Sequence, residues 1–576
     1  LIAYELTNSI KNNSVFGSIS ATYEISKKFD LMVRSGINMM DEDRQQRRPF
    51  STANFLKGYY KEQAIADFES NTDFLLTYKD RIGSDFTVSV SAGGNKMVHR
   101  YNRIDSYIDG LVIPAVYKLN NGLASPQVKV TDKNFNVNSL YGLAAFGYKN
   151  KYFIDFTARN DWSSTLPIQN ASFFYPSVNT SIILSEALKL PSAISFAKIR
   201  LSAAQAGNDT DPYQTQRYYG TSEFASSGSV DPVLYNATLK PEISTSYEAG
   251  LDIRFLKNRI GLDLTFYNSV TKNQIVQVPM NWSTGYSAAF LNAGEVRNRG
   301  VEVVINSKNI AHRDFTWNTT INWSKNQNRV LSLAEELGGE DNQIIGTGGN
   351  ATIIAKVGGS TGDVYGFGFV RSPDGQIVYN ANGLPERPAD IQFIGSAFAD
   401  WKGGIQNEFS YKNFRFSFLI DGQHGGIIYS QTHHKMTEQG KLKHTLRGRE
   451  TNMIVGEGVV KDANGHYVPN TKEVNIADFY ADYYRRANVE SNSFDASYLK
   501  LREARLEYTL PKKALGKSFI RQASFAIYGR DLLLFTDFPI FDPETAALNG
   551  STLIPGVEMG QLPSTRTMGL NVTLKF

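Results

Sequence analysis

Strict two-residue alternation constrains this chain more than any other feature. From Ser246 to Thr271 it reads SYEAGLDIRFLKNRIGLDLTFYNSVT. Tyr247, Ala249, Leu251, Ile253 and Phe255 take every second place, with Glu248, Gly250, Asp252 and Arg254 between them. After Lys257-Asn258-Arg259 the pattern returns as Ile260, Leu262, Leu264 and Phe266, interleaved with Gly261, Asp263, Thr265 and Tyr267. Successive side chains of a strand point to opposite faces, so this is a hairpin with one apolar and one charged face.

The same pattern recurs along the chain. Val15, Ile19, Ala21, Tyr23 and Ile25 form one strand; Leu31, Val33, Ile37 and Met39 form the next. Phe74, Leu76 and Tyr78 turn into Phe86, Val88 and Val90. Phe315, Trp317, Thr319, Ile321 and Trp323 alternate with Thr316, Asn318, Thr320 and Asn322. Further strands fall at Ile405–Tyr411, Phe414–Ile420, Ala504–Leu510, Phe525–Ile527 and Met568–Phe576. The count is about 17, many of roughly 9–12 residues, the length a tilted strand needs to cross a bilayer.

Short turns alternate with long polar connections. Lys27–Asp30, Lys149–Lys151, Leu256–Arg259 and Lys412-Asn413 are short; Gln327–Gly403 and Gln423–Ser497 are long. Outer-membrane barrels have short periplasmic turns and long extracellular loops. The expected fold is therefore an all-β, transmembrane antiparallel β-barrel, its apolar face on lipid and its charged face on a lumen. Lipid satisfies no open sheet edge, so such a sheet must close. A soluble sandwich with a polar outer face is the bland alternative; it accounts neither for the strand lengths nor for the asymmetry of the loops.

Composition narrows the rest. The 576 residues carry 60 basic and 56 acidic side chains, net +4, which offers no case for nucleic acid. Cysteine is absent, so disulfides and thiolate-bound metals are excluded. Aromatic residues make up 12% and Gly numbers 47, as suits a turn-rich β protein. No run of about 18 apolar residues offers a transmembrane helix, which leaves a barrel open. The first residues, Leu-Ile-Ala-Tyr, contain no Met and no basic leader. The first strand and the last both run toward the short-turn end. Closure needs an even strand number, so an odd number of strands is expected upstream of Leu1. Closure of the first strand on the last would refute this.

The segments LKPEISTSYEAGLDIRF, NAGEVRNRGVEVVINS, FLIDGQHGG, YLKLREARLEYTLP, FAIYGRDLLLFTD and PGVEMGQLPSTRTMGLNVTLKF resemble the SusC/RagA family of TonB-dependent outer-membrane transporters of Bacteroidota. The resemblance runs from about Ile2 to Phe576. It implies a 22-stranded barrel, of which residues 1–576 would form the C-terminal part, with the plug and first strands upstream. It further implies TonB acting through that plug, a SusD-like surface lipoprotein as lid, and oligosaccharides or peptides as substrates. A passive porin or adhesin barrel is the first alternative, a secreted carbohydrate-active all-β protein the second.

Catalytic motifs are missing: there is no H-E-x-x-H, Walker A or G-x-G-x-x-G. No cofactor is expected. Tyr365–Phe369, YGFGF, reads as an aromatic strand or turn. His433-His434 reads as a solvated loop rather than a metal site. Asp41-Glu42-Asp43 and Glu335-Glu336 read as solvated loop carboxylates rather than a glycosidase pair. Glu248, Asp252, Arg254, Asp263, Glu503, Arg505 and Glu507 are expected to face the lumen and to pair with one another or a plug. Sugars stack on aromatic faces, so Trp282, Tyr286, Tyr365, Tyr379, Trp401 and Tyr429 in long loops are weak ligand candidates. Met568, Leu570, Val572, Leu574 and Phe576 resemble the C-terminal signal read by the barrel-assembly machinery.

Overall fold

A computed structural model describes residues 5–221, 227–333, 342–516, 518–549 and 552–576. Seventeen strands form one antiparallel sheet in chain order. The first eight are β1 (Asn8–Ser26), β2 (Phe29–Thr52), β3 (Phe55–Ile82), β4 (Phe86–Asp109), β5 (Gln127–Tyr148), β6 (Tyr152–Ser163), β7 (Ser172–Ile183) and β8 (Ile194–Asn208). Then come β9 (Glu242–Phe255), β10 (Ile260–Lys272), β11 (Glu295–Ala311), β12 (Phe315–Ser332), β13 (Trp401–Tyr411), β14 (Phe414–His424), β15 (Tyr498–Thr509), β16 (Gln522–Thr536) and β17 (Thr567–Lys575). Every strand pairs with the next. Among the described residues no pairing joins β1 to β17.

Turns of a few residues do lie at one end and long connections at the other. Lys149-Asn150 illustrates the short kind: both residues have positive φ, 52° and 55°, the conformation whose twist matches a hairpin. The connections 184–193 and 510–521, at that same end, are longer, and Ala53-Asn54 between β2 and β3 is a short turn at the long-loop end. Here the strands themselves are long. β3 has 28 residues, roughly 90 Å of extended chain, far more than a bilayer of about 30 Å needs.

This length corrects the reading of Asp41-Glu42-Asp43. They lie within β2, paired with Asn13, Asn12 and Lys11 on one side and Ala66, Ile65 and Ala64 on the other. Beyond the lipid a strand is held by its ladder alone, and alternation is no longer required of it. Glu42 is buried there and accepts hydrogen bonds from Asn12 and Arg44. Glu335-Glu336 lies outside the described residues.

Register converts the alternation into rows. Ile253, Leu262, Ile305, Ile321, Ile405, Ile420, Leu501 and Leu533 stand side by side across eight consecutive strands. None of Leu251, Leu264, Phe416 and Leu574 is buried, and the last two are 41% and 43% exposed. No described element covers the apolar wall. Among the described residues, the six clusters of buried apolar residues instead gather in the long connections and the strand ends beside them, as with Ile353, Val364, Tyr429, Val489 and Val557. Where polar residues interrupt the apolar face they bond to one another: Thr319 and Trp317 both donate to Asn407, at 2.7 and 2.8 Å. No described helix is long and apolar enough to cross a membrane.

Candidate functional site: the polar wall and the loop crown

Glu248, Asp252 and Arg254 of β9, Asp263 of β10, and Glu503, Arg505 and Glu507 of β15 all lie on the face opposite the apolar rows. Most are paired. Arg254 donates to Asp252 at 3.2 Å, Arg530 to Glu503 at 3.0 Å, and Arg505 to Glu507 at 2.5 Å. Asp263 takes a two-pronged bond from Arg200 of β8, at 2.9 and 2.5 Å. Glu248 stands in register with Ser202 and Tyr267.

A second set of charges on this face was hidden by a bulge. In β15, Leu501 pairs with Ile420 and Glu503 with Leu419, so Arg502 is an extra residue that joins Glu503 on the polar side. Arg502 grips Asp421 with Nε and Nη2 at 2.8 and 2.7 Å and also donates to Asp531 and Glu544. Two residues earlier, Lys500 is almost wholly buried and donates to Asp542 at 2.9 and 2.7 Å. Asp542 and Glu544 belong to the connection 537–566, so the pairs pin that connection to the wall. Burial opposes the charge on Glu544, but bonds from Arg502, Lys500 and Tyr498 outweigh it and bring its pKa down to about 2. Adjacent charges, Arg502-Glu503, inside an alternating strand were the available signal.

The connections hold together as a crown. Glu558, fully buried in 537–566, accepts from Ser430 and Thr432 Oγ1 at 2.5 and 2.6 Å, and Tyr429 pairs in parallel with Val557. This joins 425–497 to 537–566. The aromatic candidates divide. Tyr379 is 1% and Tyr429 0% exposed; both are core residues of the crown, and burial raises both phenols, Tyr429 to about 12. Neither can offer a face to a ligand, which corrects that expectation. Trp401 is the first residue of β13 rather than a loop residue and packs on His424, centroids 5.8 Å apart. Tyr365 meets Phe393 edge-on, Tyr286 carries the Arg217 guanidinium 5.4 Å over its ring, and Trp282 is 71% exposed.

His433-His434 is not a solvated loop. It lies in the helix Gln431–Glu438, with both rings buried. His433 Nδ1 bonds Asn492 at 2.9 Å and its ring stacks on His444, with Phe494 and Tyr484 edge-on. Burial lowers its pKa to about 4, with His444 and His434 adding to the effect. Among the described residues no group of three or more His, Asp or Glu is placed to hold a metal ion.

A sheet apolar on one face and charged on the other, topped by a separately cored crown, is the anatomy expected of a β-barrel receptor. The family model described as "TonB dependent receptor-like, beta-barrel" matches residues 3–352. The chain belongs to this family. TonB-dependent receptor P3 of Formosa agariphila is 25% identical over 610 residues, covering 100% of this chain and 57% of that receptor. TonB-dependent receptor SusC of Bacteroides thetaiotaomicron is 27% identical over 467 residues, covering 74% of this chain and 45% of SusC. A solved structure of the RagAB peptide transporter superposes with a TM-score of 0.77 at 19% identity, covering 99% of this chain and 62% of that one. The chain thus spans roughly half the length of the curated relatives it matches. It is a TonB-dependent receptor barrel, similar to SusC and to the RagAB transporter, and a protein of the outer membrane.

Proposed function

We propose that this receptor barrel serves energy-coupled import of oligosaccharides or peptides, as part of a SusC-type transporter. Its apolar rows face outer-membrane lipid, and Glu248, Asp252, Arg254, Asp263, Glu503, Arg505 and Glu507 face the lumen. A SusD-like lipoprotein caps the crown, and TonB acts through a plug. The plug and the strands that close the barrel belong to the rest of the protein: residues 1–576 supply its C-terminal portion. The outer edges of β1 and β17 support this, since a sheet in lipid leaves no edge unpaired. Trp282, Tyr286 and Tyr365 remain the aromatic candidates for ligand contact. The alternate apolar residues from Met568 to Phe576 act as the assembly signal.

The observation that carries the reading is the division between wall and crown. A charged inner wall with its ion pairs already satisfied suits a conduit, and a crown with its own buried cores presents a fixed surface to ligand and lid. The test is uptake of labelled oligosaccharides and peptides by cells carrying the intact receptor, with and without a proton-motive-force uncoupler. Import should stop when the gradient is collapsed. Import that continues unchanged would mark a passive pore.

A further inference from the structure

Charge divides along the barrel axis. Among described residues, the eight connections at the short-turn end hold twelve Lys and Arg against three Asp and Glu, an excess of nine positive charges. The connections at the opposite end hold sixteen against twenty-one, an excess of five negative charges. The net +4 of the whole chain conceals this. The positive rim lies at the height of paired rings on the apolar face: Phe29 with Tyr78, Phe86 with Tyr148, and Phe414 with Tyr508, centroids 5.0, 4.6 and 4.7 Å apart. Such rings mark the level of lipid headgroups.

Two ammonium groups are tied to that level directly. Lys149 Nζ lies 5.1 Å from the Tyr148 ring centroid and Lys412 Nζ 5.4 Å from that of Tyr411. Lys149 also has Asp85 at 3.6 Å, which leaves room for further acceptors. Lys149, Lys257 and Lys412 have φ of 52°, 55° and 51°. Gly or Asn would adopt these conformations with less strain, so turn geometry alone gives no reason for Lys at all three places.

We propose that this rim binds the anionic phosphate headgroups of the leaflet that meets the short-turn end, with Lys149, Lys257 and Lys412 as its principal cations. Each Lys or Arg held near an anionic surface strengthens attraction roughly fivefold. The acidic far end would be repelled by the same headgroups, so the pattern also favours one orientation.

The test uses the full-length receptor, extracted from bilayers of equal phosphatidylglycerol and phosphatidylcholine, with retained lipid measured by mass spectrometry. Phosphatidylglycerol should be enriched about threefold or more. The K149Q/K257Q/K412Q variant should lose most of this, while K461Q/K472Q at the far end keeps it. Should the triple variant fail to assemble, the wild type decides: enrichment must fall steeply between low and high salt. Equal retention of the two lipids, or enrichment that survives both the triple substitution and high salt, overturns the proposal. Displacement by inorganic phosphate at millimolar concentration would do so as well, because it would identify a free-anion site instead of a lipid one.

Discussion

Arg200 of β8 reaches across β9 to Asp263 of β10, passing through the place where Gly250 has no side chain. Gly250 stands directly opposite Arg200 in the ladder, and a Cβ built on it would run into the guanidinium. The same Arg also donates to Thr265 at 2.6 Å. Three strands are thus tied by one side chain over one glycine.

Both groups are about two-fifths exposed, so the pair itself contributes only about 1 kcal/mol. Arg200→Ala should lower the unfolding midpoint slightly in detergent. Gly250→Leu should lower it more, because the Arg must leave and bury nothing in exchange. In the double variant the collision is gone, so the two losses should not add. Strict additivity, read from heat-modifiable gel migration, would show that Arg200 does not lie over Gly250.

Lys500 carries more weight. It and Asp542 are both nearly inaccessible, and removing one member of a buried pair costs about 3–5 kcal/mol. Lys500→Met should strongly destabilise the attachment of 537–566 and open it to protease. Lys500→Met with Asp542→Leu should recover part of the loss, since no carboxylate is then stranded. Glu544 adds a pH dependence. Its pKa is depressed to about 2 from an ordinary 4.5, so its contribution is complete above pH 4.5 and disappears as pH falls toward 2. Protease resistance of 537–566 should decline through that window, and less so in Glu544→Gln.

These pairs show where the sequence was legible. A residue facing lipid and its neighbour facing the lumen meet different solvents, so the wall announced itself at Leu251 and Asp252 or at Ile321 and Thr320. Arg502 broke that period by one residue, and the bulge concealed the Lys500 network. In the crown no period exists. Tyr379 and Tyr429 looked like free rings because their partners, such as Tyr480 and Val557, lie about a hundred residues or more away in sequence. Asp41 to Asp43 looked like a loop because strands that outrun the membrane stop alternating.

His433 gives the crown an acid limit. Its pKa in the fold is about 4, against 6.5 for a free ring. Above pH 6.5 both folded and unfolded forms are neutral and nothing is lost. As pH falls below 6.5 the unfolded form takes up a proton that the fold rejects, and stability drains until about pH 4. Hydrogen exchange in the helix Gln431–Glu438 should speed up by roughly 50–100-fold between pH 7.5 and 4.5, beyond the intrinsic chemical change. His433→Phe, which keeps the stacking and cannot titrate, should reduce that response, with His434 and His444, both also lowered by burial, supplying what remains. A variant with the full wild-type slope would place the titration elsewhere.

Neighbouring residues of β12 provide the sharpest contrast. Ile321 stands in the apolar row between Ile305 and Ile405, and Thr320 faces the other way between Asn306 and Gln406. Ile321 lies six residues from Phe315 at the short-turn end. That is roughly 20 Å along the strand, which at a tilt of about 45° reaches the middle of a hydrocarbon core about 30 Å thick. An Arg at that depth on the lipid face costs about 2–4 kcal/mol, whereas the lumen already accommodates Arg200 and Arg254. Ile321→Arg should therefore reduce the membrane-inserted, heat-modifiable fraction several-fold, while Thr320→Arg should assemble near wild-type levels. Equal tolerance of Arg at both positions would mean that the apolar rows do not face hydrocarbon.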